Sequence, residues 1–171
     1  MITIRPATIA DAPSIAEVHV ASWCAAYRDL MPESVLASQS VTERTSFWAN
    51  DIASNLSRVL VAEANDSIAG LLSIAHTIDA DAETGTLEIL ALYVAPSSWS
   101  KGVGRSLCAA ADSFAGRHGG TLVTLWALTG NARAHRFYFS VGFRQQPGTT
   151  RPYQRHGLSL QQVRYAKPIA G

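Results

Sequence analysis

Leu92-Tyr93-Val94-Ala95-Pro96-Ser97-Ser98-Trp99-Ser100-Lys101-Gly102-Val103-Gly104-Arg105-Ser106 reads as the end of a buried strand, a glycine-containing turn and the start of a helix. Pro96 ends the strand, because its ring removes a ladder donor. The two glycines allow close approach of a ligand to the backbone, and the first turn of a helix leaves N–H groups without intrahelical partners. With the positive end of the helix dipole and the side chains of Lys101 and Arg105, the turn suits a phosphate or pyrophosphate. It does not by itself choose a ligand. Neither the six-residue glycine pattern of dinucleotide-binding folds nor the Lys-Ser/Thr ending of a P-loop is present.

Upstream of the turn, Thr86 to Ala95 is almost continuously apolar and interrupted by Glu88, which predicts a strand buried on both faces in mid-sheet. Downstream, a helix is predicted from Gly102 to His118 with Leu107, Ala110, Ala111 and Phe114 on one face. Gly119-Gly120 stops it, and Thr121 to Ala127 is a further strand, so the three form a βαβ unit. A last helix follows over Asn131 to Ser140. Phe143 to Gln146 and Leu158 to Ala166 then read as antiparallel strands joined by a loop around Pro147-Gly148 and Pro152.

Toward the amino terminus, Ile2 to Arg5 alternates as an edge strand would and ends at Pro6. A helix beginning at a Thr8-Asp11 cap runs to about Arg28 and buries Ala12, Ile15, Ala16 and Val20. His19, Trp23 and Tyr27 recur at four-residue spacing on it, as either a core edge or the wall of a pocket. After the break at Met31-Pro32 and a short helical turn through Leu36, Ser40-Val41-Thr42-Glu43 has the form of a capping box. The helix it opens turns Phe47, Trp48 and Ile52 to the core. Arg58 to Ala64 and Ser67 to Ile78 form a hairpin about Asn65-Asp66, with Gly70 marking a bulge. Asp79 to Gly85 is acidic but lacks the glycine and closing glutamate of a calcium loop, so it reads as solvated.

The chain has 171 residues, 47% of them hydrophobic and 16% charged, which fits one globular domain over 1–171. A net charge of +1 argues against nucleic acid or a membrane surface as a partner held by bulk charge. Cys24 and Cys108 stand far apart without metal-ligand spacing and read as core residues, so no metal is expected. The amino terminus has no apolar signal core behind a basic start, and no apolar run reaches a membrane span, which places the protein in the cytoplasm. The expected class is α/β: a mixed, mostly antiparallel central sheet, parallel only at the βαβ unit, with helices on both faces.

A second constellation lies one strand and one helix further on, Asn131-Ala132-Arg133-Ala134-His135-Arg136-Phe137-Tyr138-Phe139-Ser140-Val141-Gly142-Phe143. With the glycine turn, it resembles motifs A and B of the GNAT family of N-acetyltransferases. Those motifs have the forms Q/R-x-x-G-x-G/A and Asn-x-x-Ala-x-x-Phe-Tyr-x-x-x-Gly-Phe. The order of elements is similar over nearly the whole chain. The departures are Trp99, where the family usually carries Arg or Gln, and Ser100, where Gly is common.

The resemblance implies an enzyme that moves an acetyl group from acetyl-CoA to a primary amine of a small molecule or peptide. Attack is direct, through a tetrahedral intermediate and with no covalent enzyme species or metal. The backbone of Leu92, Tyr93 and Val94 would pair with the pantetheine arm. Lys101, Gly102, Val103, Gly104, Arg105 and Ser106 would hold the pyrophosphate, largely through backbone N–H groups. Asn131 and Tyr138, seven residues apart on one helix, would both face the donor.

Tyr138 suits proton donation to the departing thiolate, and Glu88, an isolated carboxylate on an apolar strand, suits the role of base. A structural partner to an arginine is the other reading of Glu88. His76 and His135 are lesser candidates. Trp23, Tyr27, Arg28 and Tyr153, with His19, would wall the acceptor site. Arg144, Arg151, Arg155 and His156 favour an acceptor that also carries a carboxylate or phosphate. Two other functions fit such a fold: a non-catalytic CoA-binding regulatory module, and a protein-interaction module. An isologous homodimer through an edge strand or helix is compatible with it.

Overall fold

A computed structural model of the chain describes residues 1–155 and 157–169. Two β-prone runs meet across Asn65 and Asp66, whose φ values of 51° and 59° are both positive, as a tight hairpin turn requires. They form β2 (Arg58–Ala64) and β3 (Ser67–His76). β1 (Ile2–Pro6) lies outside β2, and β4 (Thr86–Val94) lies antiparallel on the other side of β3. β5 (Leu122–Leu128) runs parallel to β4. The hairpin of β6 (Arg144–Arg155) and β7 (Leu158–Pro168) completes a seven-stranded sheet of order β1-β2-β3-β4-β5-β7-β6. As expected from the βαβ reading, β4 and β5 are the one parallel pair among the described residues.

Alternation along the strands loads both faces with apolar residues. On one, Leu60, Leu72, Ile74 and Leu87 pack against Val103, Leu107 and Ala111 of α4 (Val103–Arg117). On the other, Val59, Val61 and Leu71 pack against Ile15, Ala16 and Val18 of α1 (Ala12–Tyr27) and Trp48 of α3 (Val41–Ser54). The buried Trp48 indole donates to His19 Nδ1 at 3.0 Å, which ties α3 to α1. Trp23, Leu128 and Val35 of α2 (Glu33–Ala37) form a third cluster beside the carboxyl end of β5. α5 (Ala132–Ser140) lies between β5 and β6 in the chain. No helix among the described residues is long and apolar enough to cross a membrane.

Two bulges interrupt the ladders. Ala62 pairs with Gly70 and Glu63 with Ile68, so β3 carries an extra residue next to Gly70, as expected. Ser73 pairs with Ala91 and Ile74 with Ile89, so Leu90 has no partner on β3. Close by, the β4–β5 pairing ends at Ile89 and Leu125, although β4 continues to Val94 and β5 to Leu128. The two strands therefore part at their carboxyl ends.

Several sequence expectations need correction. Val20 is half-buried, and Val18 takes the place in the α1 core contact expected of it. Only the first half of β4 is buried on both faces; Leu90 is 53% exposed and the residues after it are half-buried, because the strand there faces the gap. Phe47 is 49% exposed, since Trp48 and not its neighbour fills the α1–α3 contact. Arg151, Pro152 and Tyr153 belong to a strand and not a loop, because β6 absorbs Pro147 and Gly148 in a bulge between Gln145 and Thr150. The acidic segment is anchored: Arg164 donates to both Asp81 oxygens at 2.7 and 2.6 Å, and the Trp126 indole donates to Asp79 at 2.9 Å.

Candidate active site

The gap between β4 and β5 organises the site. Backbone groups of an extended strand point alternately to either side. Ala95 N–H bonds Ala69 on the β3 side at 2.9 Å, so Val94 and Leu92 turn their N–H and C=O groups into the gap. The Val94 carbonyl there accepts the Trp99 indole N–H at 2.8 Å. An open edge of this kind can pair with an extended ligand as a further strand would.

A cavity of about 600 Å³ runs from this edge over the start of α4 and along α5. Gly102 sits at the α4 N-cap with φ of 87° and contributes no capping side chain. The N–H groups of Val103, Gly104 and Arg105 are therefore left for a ligand. Ser106 is not, since its N–H donates to Gly102 C=O at 3.0 Å. Neither Ser106 nor the exposed Lys101 lines the cavity. Ser100 holds φ of 62°, so the turn keeps a glycine-type backbone although a serine stands there. Gly104 serves helix packing: a Cβ on it would lie 2.9 Å from Phe137 Cζ of α5.

Asn131 caps α5, its side-chain oxygen accepting the Ala134 N–H at 3.1 Å, and still borders the cavity. One face further along α5, Tyr138 packs among Phe137, Phe143 and Tyr165. Burial pushes its phenol well above the usual range, so Tyr138 stays protonated and is a donor at working pH.

A second cavity of about 350 Å³ opens on the other side of β4. Trp23, Tyr27, Leu92, Tyr93 and Tyr138 border both cavities, so the two meet at the gap. Glu88, 5% exposed, lines the second. Its carboxyl is pushed up first by burial and further by Asp79, against the pull of a Thr77 hydroxyl bond at 2.9 Å and of Arg151. Arg151 Nη2 lies 4.0 Å from Glu88, its Nε donates to Gln162 at 3.0 Å, and its guanidinium lies over the Trp126 ring at 4.2 Å. Tyr153 and Phe47 add to the aromatic walls.

Other sequence candidates lie elsewhere. Arg28 caps the exposed end of α1 and lines neither cavity. His76 is exposed and also lines neither. His135 bonds Tyr165 OH at 2.8 Å and Thr129 C=O at 3.0 Å. A carbonyl only accepts, so its Nε2 carries the proton and the ring is structurally committed. Arg144 lies over Phe139 at 4.1 Å and donates to the Phe143 carbonyl. The readings of the Arg155 side chain and of His156 fall outside the described residues. His19 stacks on Tyr93 with centroids 4.1 Å apart, so the aromatic stripe of α1 is both core and pocket wall. Trp126, Thr77 and Arg133 carry no signal in sequence spacing toward the site; only the sheet register and the α5 contacts bring them in.

A parallel strand pair that parts at its carboxyl end, followed by a helix with a bare first turn and by two cavities joined at the gap, defines an N-acetyltransferase architecture. The chain belongs to the acetyltransferase (GNAT) family, whose model matches residues 21–143. It is 30% identical over 132 residues to the uncharacterised N-acetyltransferase YuaI of Bacillus subtilis (strain 168), covering 77% of this chain and 74% of that one. In fold it is similar to the PaiA N-acetyltransferase of Thermoplasma acidophilum, solved with coenzyme A. The TM-score is 0.78 at 22% identity, covering 98% of this chain and 99% of that one. It is also similar to yncA of Salmonella typhimurium, solved with its cofactor acetyl-CoA. There the TM-score is 0.73 at 23% identity, covering 100% and 95% of the respective chains.

Proposed function

We propose that this N-acetyltransferase takes its acetyl group from acetyl-CoA and transfers it to the primary amine of a small molecule by direct attack. The meeting of the two cavities at Tyr138 and the parting of β4 from β5 beyond Ile89 carry the reading. The residues present fit the donor. Leu92 and Val94 offer the edge for the pantetheine arm, the bare amides of Val103, Gly104 and Arg105 suit the pyrophosphate, and Asn131 borders the path between them.

An ammonium has no lone pair, so the acceptor must first lose a proton. Glu88 takes it, directly or through water, and its raised pKa brings it toward the pH at which a carboxylate is an effective base. The neutral nitrogen attacks the thioester carbonyl carbon, which the Val94 N–H polarises. The C–N bond forms first; as the resulting tetrahedral intermediate collapses the C–S bond breaks, Tyr138 passes its proton to the thiolate, and the second proton on the nitrogen leaves to water, from which Tyr138 is reprotonated. Burial weakens Tyr138 as an acid, but the same loss of solvent raises the proton affinity of a thiolate formed beside it.

The acceptor cavity is small, its walls are aromatic, and its charges are balanced, with Arg44 and Arg151 set against Asp51 and Glu88. That supports an amine that also bears an anionic group. Acceptors of this kind should lead a panel that includes amino acids, peptides and polyamines; a polyamine in first place would count against it. For the chemistry, Tyr138→Phe should lower kcat by about 10²–10⁴-fold while acetyl-CoA affinity by calorimetry stays within about twofold. Unchanged turnover would remove Tyr138 from the mechanism.

A further inference from the structure

Position 99 stands where related chains usually place an arginine or glutamine, and here its side chain is otherwise engaged. The Trp99 indole N–H is used on the Val94 carbonyl at 2.8 Å. Its ring face is covered by the guanidinium of Arg133, with Cζ 4.0 Å from the ring centroid. Arg133 comes from the first turn of α5, which reaches across the mouth of the donor cavity to the loop leading into α4.

Among the described residues lining that cavity are Arg105, Arg133 and Arg136 and no carboxylate. A site with this charge inventory attracts an anion. Stacking on an indole also leaves the planar edge of a guanidinium, with its fork of donors, free for phosphate oxygens. An ion pair would have consumed those donors. Arg133 is thus a cation held in place by its face, beside the unpaired amides of Val103 and Gly104.

We propose that Arg133, carried on the Trp99 ring, supplies the cationic contact to the donor's pyrophosphate that position 99 itself does not. Trp99 is its positioning residue. This rests on acetyl-CoA being the donor, and the test separates the two ideas. The probes are acetyl-CoA, its 3′-dephospho form and S-acetylpantetheine, which lacks the pyrophosphate and the 3′-phosphoadenosine.

Arg133→Ala should weaken acetyl-CoA and the 3′-dephospho form alike, by about 10- to 100-fold, the range of one charge-assisted contact. It should leave S-acetylpantetheine unchanged in an NMR titration. Trp99→Ala should show the same selectivity with a smaller loss and add nothing in the Arg133→Ala background, because it acts through that side chain. Trp99→Arg in that background should restore affinity. Equal weakening of all three probes, a loss confined to the form bearing the 3′-phosphate, or full additivity would overturn the proposal. Absence of acetyl-CoA binding by the unaltered protein would overturn the donor assignment itself. Arg133 is exposed, so an unchanged melting temperature is expected to accompany the binding loss of Arg133→Ala.

Discussion

Glu88→Gln separates a base from a structural ion-pair partner. The amide keeps the shape of the carboxyl and can still accept the Thr77 hydroxyl bond, 2.9 Å in the native protein. It loses the charge. The partner that charge would serve is Arg151, whose nearest nitrogen is 4.0 Å away on a side chain 41% exposed. At such exposure and distance the pair is worth about 0–1 kcal/mol. Against it stands the cost of holding an ionised carboxylate at 5% exposure, the largest cause of its raised pKa.

The variant should therefore melt at or above the native temperature at neutral pH, while kcat/KM falls by about 10²–10⁴-fold. The pH dependence has a defined sign. With the folded pKa above the unfolded one, the folded state binds more protons between the two values, so native stability declines as pH rises through that window and is level above it. The variant lacks this decline. Its advantage should grow from the ordinary carboxylate range up to the raised pKa and then hold. Native activity should fall as pH drops through the same raised pKa, and the variant should lose that limb. A melting temperature lower by more than ~2–4 °C, roughly 1 kcal/mol for a chain of this size, with most activity retained, would refute the base assignment and make Glu88 a structural residue.

Gly70→Ala should disturb the donor cavity from beneath. The added Cβ would lie 2.9 Å from Val103 Cγ1 and 3.0 Å from the Tyr93 carbonyl oxygen, and the backbone oxygen cannot swing aside. A cost of about 1–3 kcal/mol in denaturant melts and weaker acetyl-CoA binding by calorimetry are expected; unaltered binding would show that α4 does not shift. Asp11→Asn tests the tie between β1 and the start of α1, where Arg5 reaches both Asp11 oxygens at 2.7 and 2.8 Å. Arg5 holds the Asp11 carboxyl well below its usual range, so its stabilisation is present above the ordinary aspartate pKa and is lost as pH falls through the depressed one. The variant should lose about 1–3 kcal/mol at neutral pH, and the two proteins should converge in strong acid.

Local pattern was sufficient for most of the fold. Two β-prone runs about the Asn65-Asp66 turn located β2 and β3, and Gly119-Gly120 with the glycine turn bracketed α4. The donor side was legible for a related reason: a bare helix start and a motif with a capping asparagine are written in consecutive residues. The acceptor side was legible only in part: Trp23, Tyr27 and Tyr153 line that cavity as expected, whereas Trp126 carried no signal. Glu88, Trp126 and Arg151 come from three strands, and only the pairing of β5 with β7 and β7 with β6 brings them to one wall. Burial within β4 misled because a strand that leaves its neighbour halfway has the same apolar composition as one that does not. Arg28 and Ser106 failed for opposite reasons. Arg28 lies just beyond the last residue of α1, and Ser106 lies one residue too far into α4 for its amide to remain free.

Leu90 deserves to be counted more than read. Before it, Leu87 and Ile89 pack toward α4; after it, Leu92 and Val94 do, while Ala91 and Tyr93 pack toward α1 and α3. Odd and even positions exchange faces across one unpaired residue. That exchange lets Glu88 look into the acceptor cavity while Leu92 and Val94, an even number of positions away, pack on the opposite face. The side chain at this position borders the acceptor cavity, and the number of residues decides which face the others take. Deleting Leu90 would restore unbroken alternation and turn either the base or the donor edge to the wrong side of the sheet.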